Sequence, residues 1–204
     1  MLIQQKSKRA ALLSSALLLL TLAGCGGASS ETSDASGGVV KHSVVSIYQN
    51  NDYTCATTSA AMAISYFDKL AVPISNDVAW TISGSSIDAI HSTGNDMDGL
   101  KRLADHYRYK SEYVNNMNTD MLEGLLAANA LIVLNIKAGD TGNATHAVLA
   151  TGYNKSARKI YVNDPAGRLT EFDYSYLESR WSAHLSSPYG ASTRSGFVIY
   201  PTKL

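Results

Sequence analysis

An α+β domain with helices packed on an antiparallel sheet is the fold class that the sequence predicts, and three observations carry it. Helical periodicity dominates the earlier part of residues 39–204, β-branched runs dominate the later part, and no internal repeat links the two. Segregation of this kind, rather than regular alternation, separates α+β from α/β architectures. Roughly 165 residues suffice for one domain with a sizeable core.

The chain ahead of that domain reads as a leader and a tether. Residues 1–24 hold Lys6, Lys8 and Arg9, then the apolar run AALLSSALLLLTLA (10–23). A basic head with a short apolar core marks an export signal, since spanning a bilayer takes ~20 apolar residues. Its ending, Leu22-Ala23-Gly24-Cys25, resembles the bacterial lipobox. That resemblance implies cleavage before Cys25, diacylglycerol on its sulfur and usually an acylated amino group, enough chains for firm membrane attachment. An ordinary signal peptide is the alternative, and it would leave Cys25 free to pair with Cys55, an odd staple from a flexible tail. Residues 26–38 (GGASSETSDASGG) offer nothing to bury and behave as a tether reaching roughly 20 Å. The expected organisation is therefore a signal peptide over 1–24, the lipidated cysteine and linker over 25–38, and a folded domain over 39–204. The expected location is the bacterial cell envelope, on the outer membrane where the cell has one, because Gly26 is not the aspartate associated with inner-membrane retention.

Each element of the domain has its own signal. Val39–Tyr48 is loosely alternating and β-branched, a strand leading into Gln49. Cys55–Leu70 (CATTSAAMAISYFDKL) carries Ala60, Ala61, Ile64 and Phe67 at helical spacing, with Thr54 as N-cap, so Cys55 opens a helix packed into the core. Asp96–Tyr107 sets Leu100, Leu103 and Ala104 on one face, and Thr119–Asn129 follows the capping residue Asn118. Strands are expected at 130–136, 146–153, 159–163 and 196–200, with a last helical stretch, YSYLESRWSAH, at 174–184.

Loss of the leader removes three basic residues and no acidic one, leaving 14 Lys+Arg against 17 Asp+Glu, a formal charge of −3. With no basic cluster, that balance argues against nucleic acid as a partner. No cofactor motif is visible, and the sequence is silent on oligomeric state.

With Cys25 consumed by lipid, Cys55 is the remaining thiol. A thiol of pKa near ~8.5 is a poor nucleophile at neutral pH until a helix N-terminus or an imidazolium favours its anion. His146 opens a predicted strand and suits that partnership. Asp164 ends the strand KIYVN ahead of Pro165, and would fix the imidazole if the two strands pair as a hairpin. Gln49 offers an amide donor for the oxyanion of an attacked carbonyl.

The stretches QNNDYTCATTSAAMAISYF and HAVLATGYNKSARKIYVNDPAG resemble the papain-like cysteine peptidases, and most closely the bacteriocin-processing (double-glycine leader) peptidase family. Between them, GNDMDGLKRLADHYRYKSEYV and MLEGLLAANALIVLNI match that family's helix, strand, helix and strand in order. The resemblance covers nearly all of residues 45–200. It implies a papain-like fold, Cys55 as nucleophile, His146 as general base and acid, Asp164 as its orienter and Gln49 as oxyanion donor. It also implies a peptide or protein substrate, and makes a peptide exporter a candidate partner. Many members have Cys-Gly-Pro where this chain has Cys55-Ala56-Thr57, which bears on how closely substrate backbone approaches.

Each of these residues has a plainer reading when taken alone. Cys55 is then a small buried hydrophobe, His146 a satisfied core residue and Asp164 a turn former before proline. The same fold also serves as a catalytically silent peptide-binding module, and transglutaminases share the Cys, His, Asp order. Asp96 and Asp98 in GNDMDG read as helix-capping rather than a calcium loop, because the glycine comes too early and no closing glutamate follows. His42, His91, His106 and His184 lack metal-ligand spacing. Trp181 either shields the catalytic pair from water or closes the core.

Overall fold

The computed structural model of the chain describes residues 38–88, 90, 97–138, 145–181 and 194–204. The expected leader, Cys25, the tether up to residue 37, His91, Asp96 and His184 lie outside the described residues.

In chain order the elements are β1 (Val39–Lys41), α1 (Cys55–Phe67), α2 (Asn76–Ser83), α3 (Met97–His106), β2 (Tyr109–Val114), α4 (Thr119–Ala127), β3 (Leu131–Lys137), β4 (Thr145–Asn154), β5 (Lys159–Asn163), β6 (Glu171–Asp173), α5 (Tyr174–Trp181) and β7 (Gly196–Lys203). Seven strands make one sheet in the order β2-β7-β3-β4-β5-β6, each neighbouring pair antiparallel. β1 pairs with Gly152–Asn154 of β4, beyond Thr145–Ala150 where β3 pairs.

The central strands explain their own composition. Leu131–Ile136 and Ala147–Tyr153 are buried without alternation, which requires both faces of the sheet to be covered. Helices α1, α4 and α5 all contact β3 and supply part of that cover. α1 is buried from Thr57 to Ser65, with no solvent-facing stripe over that stretch. Its small residues Ser59, Ala60, Ala61 and Ala63 let the strands approach, and its buried hydroxyls find acceptors: Ser59 Oγ donates to the Ala147 carbonyl at 3.4 Å, Thr57 Oγ1 to that of Thr54 at 3.1 Å.

Several boundaries differ from expectation for local reasons. The strand expected over 39–48 ends at Lys41: His42 still donates its N–H to Thr151 O (2.8 Å), but the Asn163 amide then takes Val44 O (2.9 Å) and leads the chain off the ladder. α1 stops at Phe67 because the N–H groups of Asp68, Lys69 and Leu70 fold back on carbonyls of the last turn, with Lys69 at φ 51°. Thr54 caps α1 through its main chain, its carbonyl accepting Thr58 N–H (2.9 Å), while its hydroxyl turns away from the helix and donates to Asn51 O (3.5 Å). Asn118 does cap α4, accepting Met121 N–H at 2.8 Å. α2 and β6, both short, had no sequence signal strong enough to expect them.

Trp181 is fully buried and donates its indole N–H to Ser195 O at 2.9 Å, which closes the core against the start of β7. His42 is a packing residue, its ring Nε2 donating to Leu126 O at 2.9 Å, while His106 is exposed at the end of α3.

Candidate active site

Cys55 is the first residue of α1, half-buried, with a free thiol. The buried body of α1 fixes its Cα, and its N–H belongs to the first turn, where no intrahelical acceptor exists. The positive end of the helix therefore lies at the sulfur.

The β4–β5 pairing places the next two residues. With Leu149 opposite Asn163, Asp164 leaves β5 beside the start of β4, where His146 sits second in the strand. His146 Nε2 and Asp164 Oδ1 are 2.7 Å apart, with 18% of the His146 side chain and 1% of the Asp164 side chain exposed. The carboxylate also accepts the N–H of Ala166 at 2.8 Å and of Arg168 at 3.3 Å, so the turn itself aims it. Gly167 makes that turn at φ +70°, and a Cβ there would come within 2.9 Å of the Tyr48 ring.

The electrostatics follow from this placement. Burial pulls the His146 pKa down, but hydrogen bonds to Asp164 and Cys55 and the charges of both outweigh it, raising the pKa from 6.5 to about 9. With Nε2 engaged by Asp164, Nδ1 is the ring nitrogen left for Cys55. Burial by itself would raise the Asp164 carboxyl. The His146 bond, the Ala166 and Arg168 N–H groups and the imidazolium charge hold it below 3.8.

Gln49 is brought to the same region by its main chain, whose N–H donates to Pro165 O at 2.9 Å, one residue beyond Asp164. Its side-chain Nε2 donates to Asn51 O at 2.7 Å, and Oε1 is buried with no partner. An amide nitrogen carries two protons, and Asn51 takes one of them.

Thus all four residues singled out in the sequence are linked, directly or through neighbouring backbone, at the junction of α1, β4 and β5. Sequence reasoning missed the residues that brace them. Asn76, the first residue of α2, donates from Nδ2 to Tyr48 O and accepts from Thr58 Oγ1, and Asn163 holds Val44. Both stand at element ends, Asn76 opening α2 and Asn163 closing β5, where a polar residue is expected in any case and only its long-range bonds mark it as a support.

A model of the Peptidase_C39 like family matches residues 41–187. No curated protein sequence matches the chain. Among solved structures, a double glycine motif protease from an AMS/PCAT transporter, in complex with its leader peptide, is 18% identical over 79% of this chain and 94% of its own, with a TM-score of 0.55. The peptidase domain of Streptococcus ComA, a bi-functional ABC transporter involved in a quorum sensing pathway, is 12% identical over 77% and 98%, with a TM-score of 0.54. A C39-like peptidase from Bacillus anthracis is 13% identical over 81% and 99%, with a TM-score of 0.53. At these identities the likeness is one of fold, an α+β papain-like arrangement with an antiparallel sheet.

Proposed function

The chain belongs to the Peptidase_C39 like family and is a cysteine-type peptidase, and on that premise we propose that it hydrolyses a peptide bond through Cys55, His146, Asp164 and Gln49. The observation that carries this reading is the buried Asp164 carboxylate 2.7 Å from His146, which holds the imidazole charged beside the Cys55 sulfur.

An imidazolium and a helix N-terminus together support the sulfur anion. The sulfur attacks the carbonyl carbon, and the electron pair of the C=O bond moves to oxygen. That oxyanion accepts from the Cys55 backbone N–H and the second N–H of Gln49. As the C–N bond breaks, His146 gives its Nδ1 proton to the departing amine, leaving a thioester on Cys55. Nδ1 then takes a proton from water, hydroxyl adds to the thioester, and expulsion of the sulfur anion releases the acid. Asp164 keeps its negative charge throughout and fixes the ring through Nε2.

We assign a peptide or protein as substrate, which the leader peptide bound by one fold neighbour supports by analogy. Outside the domain, the basic head, apolar run and Leu-Ala-Gly-Cys ending support an exported, lipid-anchored protein with Cys25 as the modified residue and residues 26–38 as its tether. The test of the catalytic reading compares wild type with Cys55→Ala on a complex peptide mixture by mass spectrometry. Cleavage present only with the thiol is expected, whereas equal product sets would refute it. Iodoacetamide at pH 6 supplies a second check: labelling of Cys55 no faster than a free thiol would count against an activated sulfur.

A further inference from the structure

We infer that Asn76 is a positioning residue for the oxyanion site, holding Gln49 in place from the start of α2, whose Asp77 and Trp80 meet the same loop by accepting from Asn50 Nδ2 at 3.0 Å and packing against Tyr53. This rests on the assignment of Gln49 as an oxyanion donor, and deepens it.

One peptide unit joins Tyr48 to Gln49, and both of its polar groups are engaged. The Tyr48 carbonyl accepts from Asn76 Nδ2, and the Gln49 N–H donates to Pro165 O at 2.9 Å. The unit is thereby clamped between α2 on one side and the turn that carries Asp164 on the other. Asn76 is itself fixed: it is 9% exposed, and its Oδ1 accepts from Oγ1 of Thr58, which is fully buried. Thr58 stands three residues after Cys55, one turn further along α1.

The consequence is a continuous set of hydrogen bonds that ties the nucleophile's helix to the oxyanion donor and onward to the carboxylate. It runs from Thr58 to Asn76, to the Tyr48–Gln49 peptide, to Pro165 and so to Asp164, which holds His146. A side chain that both donates and accepts is needed at the middle, and among side chains of this size asparagine supplies both in one plane. Ser75 keeps α2 itself in register by accepting Val78 N–H at 3.3 Å, so Asn76 starts from a capped helix rather than a loose loop. Asn76 thus shares with Pro165 and Asn51 the placement of Gln49 relative to where negative charge develops, and misplacement by ~1 Å costs ~10²-fold in such sites.

The test separates carbonyl attack from simple reactivity of the sulfur. Acetylation of Cys55 by p-nitrophenyl acetate passes through an oxyanion, while alkylation by iodoacetamide does not. Both rates are measured on the mature protein for wild type, Asn76→Ala, Gln49→Ala, the double variant and the near-isosteric Thr58→Val. Expected are acetylation rates lowered ~10–100-fold in Asn76→Ala, a smaller fall in the same direction in Thr58→Val, and alkylation within about twofold of wild type throughout. The double variant should be no slower in acetylation than Gln49→Ala alone, because the two residues act through one group. Multiplying losses in the double variant would overturn the role, as would alkylation falling in step with acetylation. If Asn76→Ala does not fold, Thr58→Val and its combination with Gln49→Ala decide the matter by the same criteria. Acetylation of the wild type that does not depend on Cys55 would refute the proposed catalytic function itself, and this role with it; normal wild-type acetylation with an unaffected Asn76→Ala would refute this role alone.

Discussion

The Asp164 carboxylate, 1% exposed, lies 2.7 Å from His146 Nε2 and holds the histidine charged at a pH where a free imidazole is neutral. Three donors converge on this one carboxylate, two of them backbone N–H groups of its own turn, so its position does not depend on the histidine. The ring, by contrast, depends on the carboxylate for its orientation and its proton.

That dependence predicts the titration of His146. Its raised value means that the protonated ring persists as pH climbs from 6.5 and is lost only near 9. NMR observation of the ring C–H signals is expected to give a midpoint of about 9 in the wild type, lower in Cys55→Ala and lower again toward 6.5 in Asp164→Asn. A wild-type midpoint at the free-imidazole value would show that neither partner is engaged.

Folding stability should carry the same signature. A histidine with a raised folded pKa contributes stability that is complete below 6.5 and disappears as pH rises to about 9. A carboxylate held below 3.8 contributes above that value and loses its contribution as pH falls through its folded pKa. The two describe one interaction and are not added. The difference in urea midpoint between wild type and Asp164→Asn is therefore expected to be greatest between about pH 4 and 6.5 and to narrow on both sides. A difference that is constant from pH 4 to 9 would contradict the coupling.

The sequence displayed the chemistry-bearing residues and concealed their supports. Cys55, His146 and Asp164 stand at element boundaries that periodicity detects, a buried helix start and two strand ends, and the expected hairpin of β4 with β5 does form. Gln49 was visible by spacing from Cys55, but the strand expected to deliver it ends eight residues earlier, at Lys41. Its placement depends instead on Asn76 and Pro165, long-range partners that no local pattern announces. The bulge in β4 was equally hidden: the pairing with β5 shifts between Ala150 and Gly152, and Thr151, outside the β5 register, accepts His42 N–H on the β1 side.

Gly152 supplies a prediction about the entry of the chain into the domain. A Cβ there would lie 2.2 Å from Val40 O and 2.8 Å from Lys41 Cα, so β1 reaches β4 only because the side chain is absent. Gly152→Ala should displace β1 and lower stability by ~1–3 kcal/mol, the usual cost of overpacking. Denaturant unfolding measures the loss, and limited proteolysis should cut near residues 38–41 faster than in the wild type. An unchanged cleavage pattern together with unchanged stability would mean that β1 is not held by this contact.

Cys25 makes the identity of the free thiol testable before any substrate is known. A lipidated Cys25 has its sulfur in a thioether, so the mature protein should show one titratable thiol per chain, at Cys55, under native or denaturing conditions alike. If Cys25 instead follows an ordinary signal peptide into an oxidising compartment, a disulfide with Cys55 removes both thiols, and catalysis with them. Cells grown with radiolabelled palmitate should therefore mark the wild type and not Cys25→Ala, and only the wild type should enter a detergent phase, since two or more acyl chains anchor firmly. Peptidase activity of the full chain should be the same in wild type and Cys25→Ala, because the hydrogen bonds that hold His146, Asp164 and Gln49 come from within the domain. Two free thiols in the wild type, or none, would refute lipidation of Cys25.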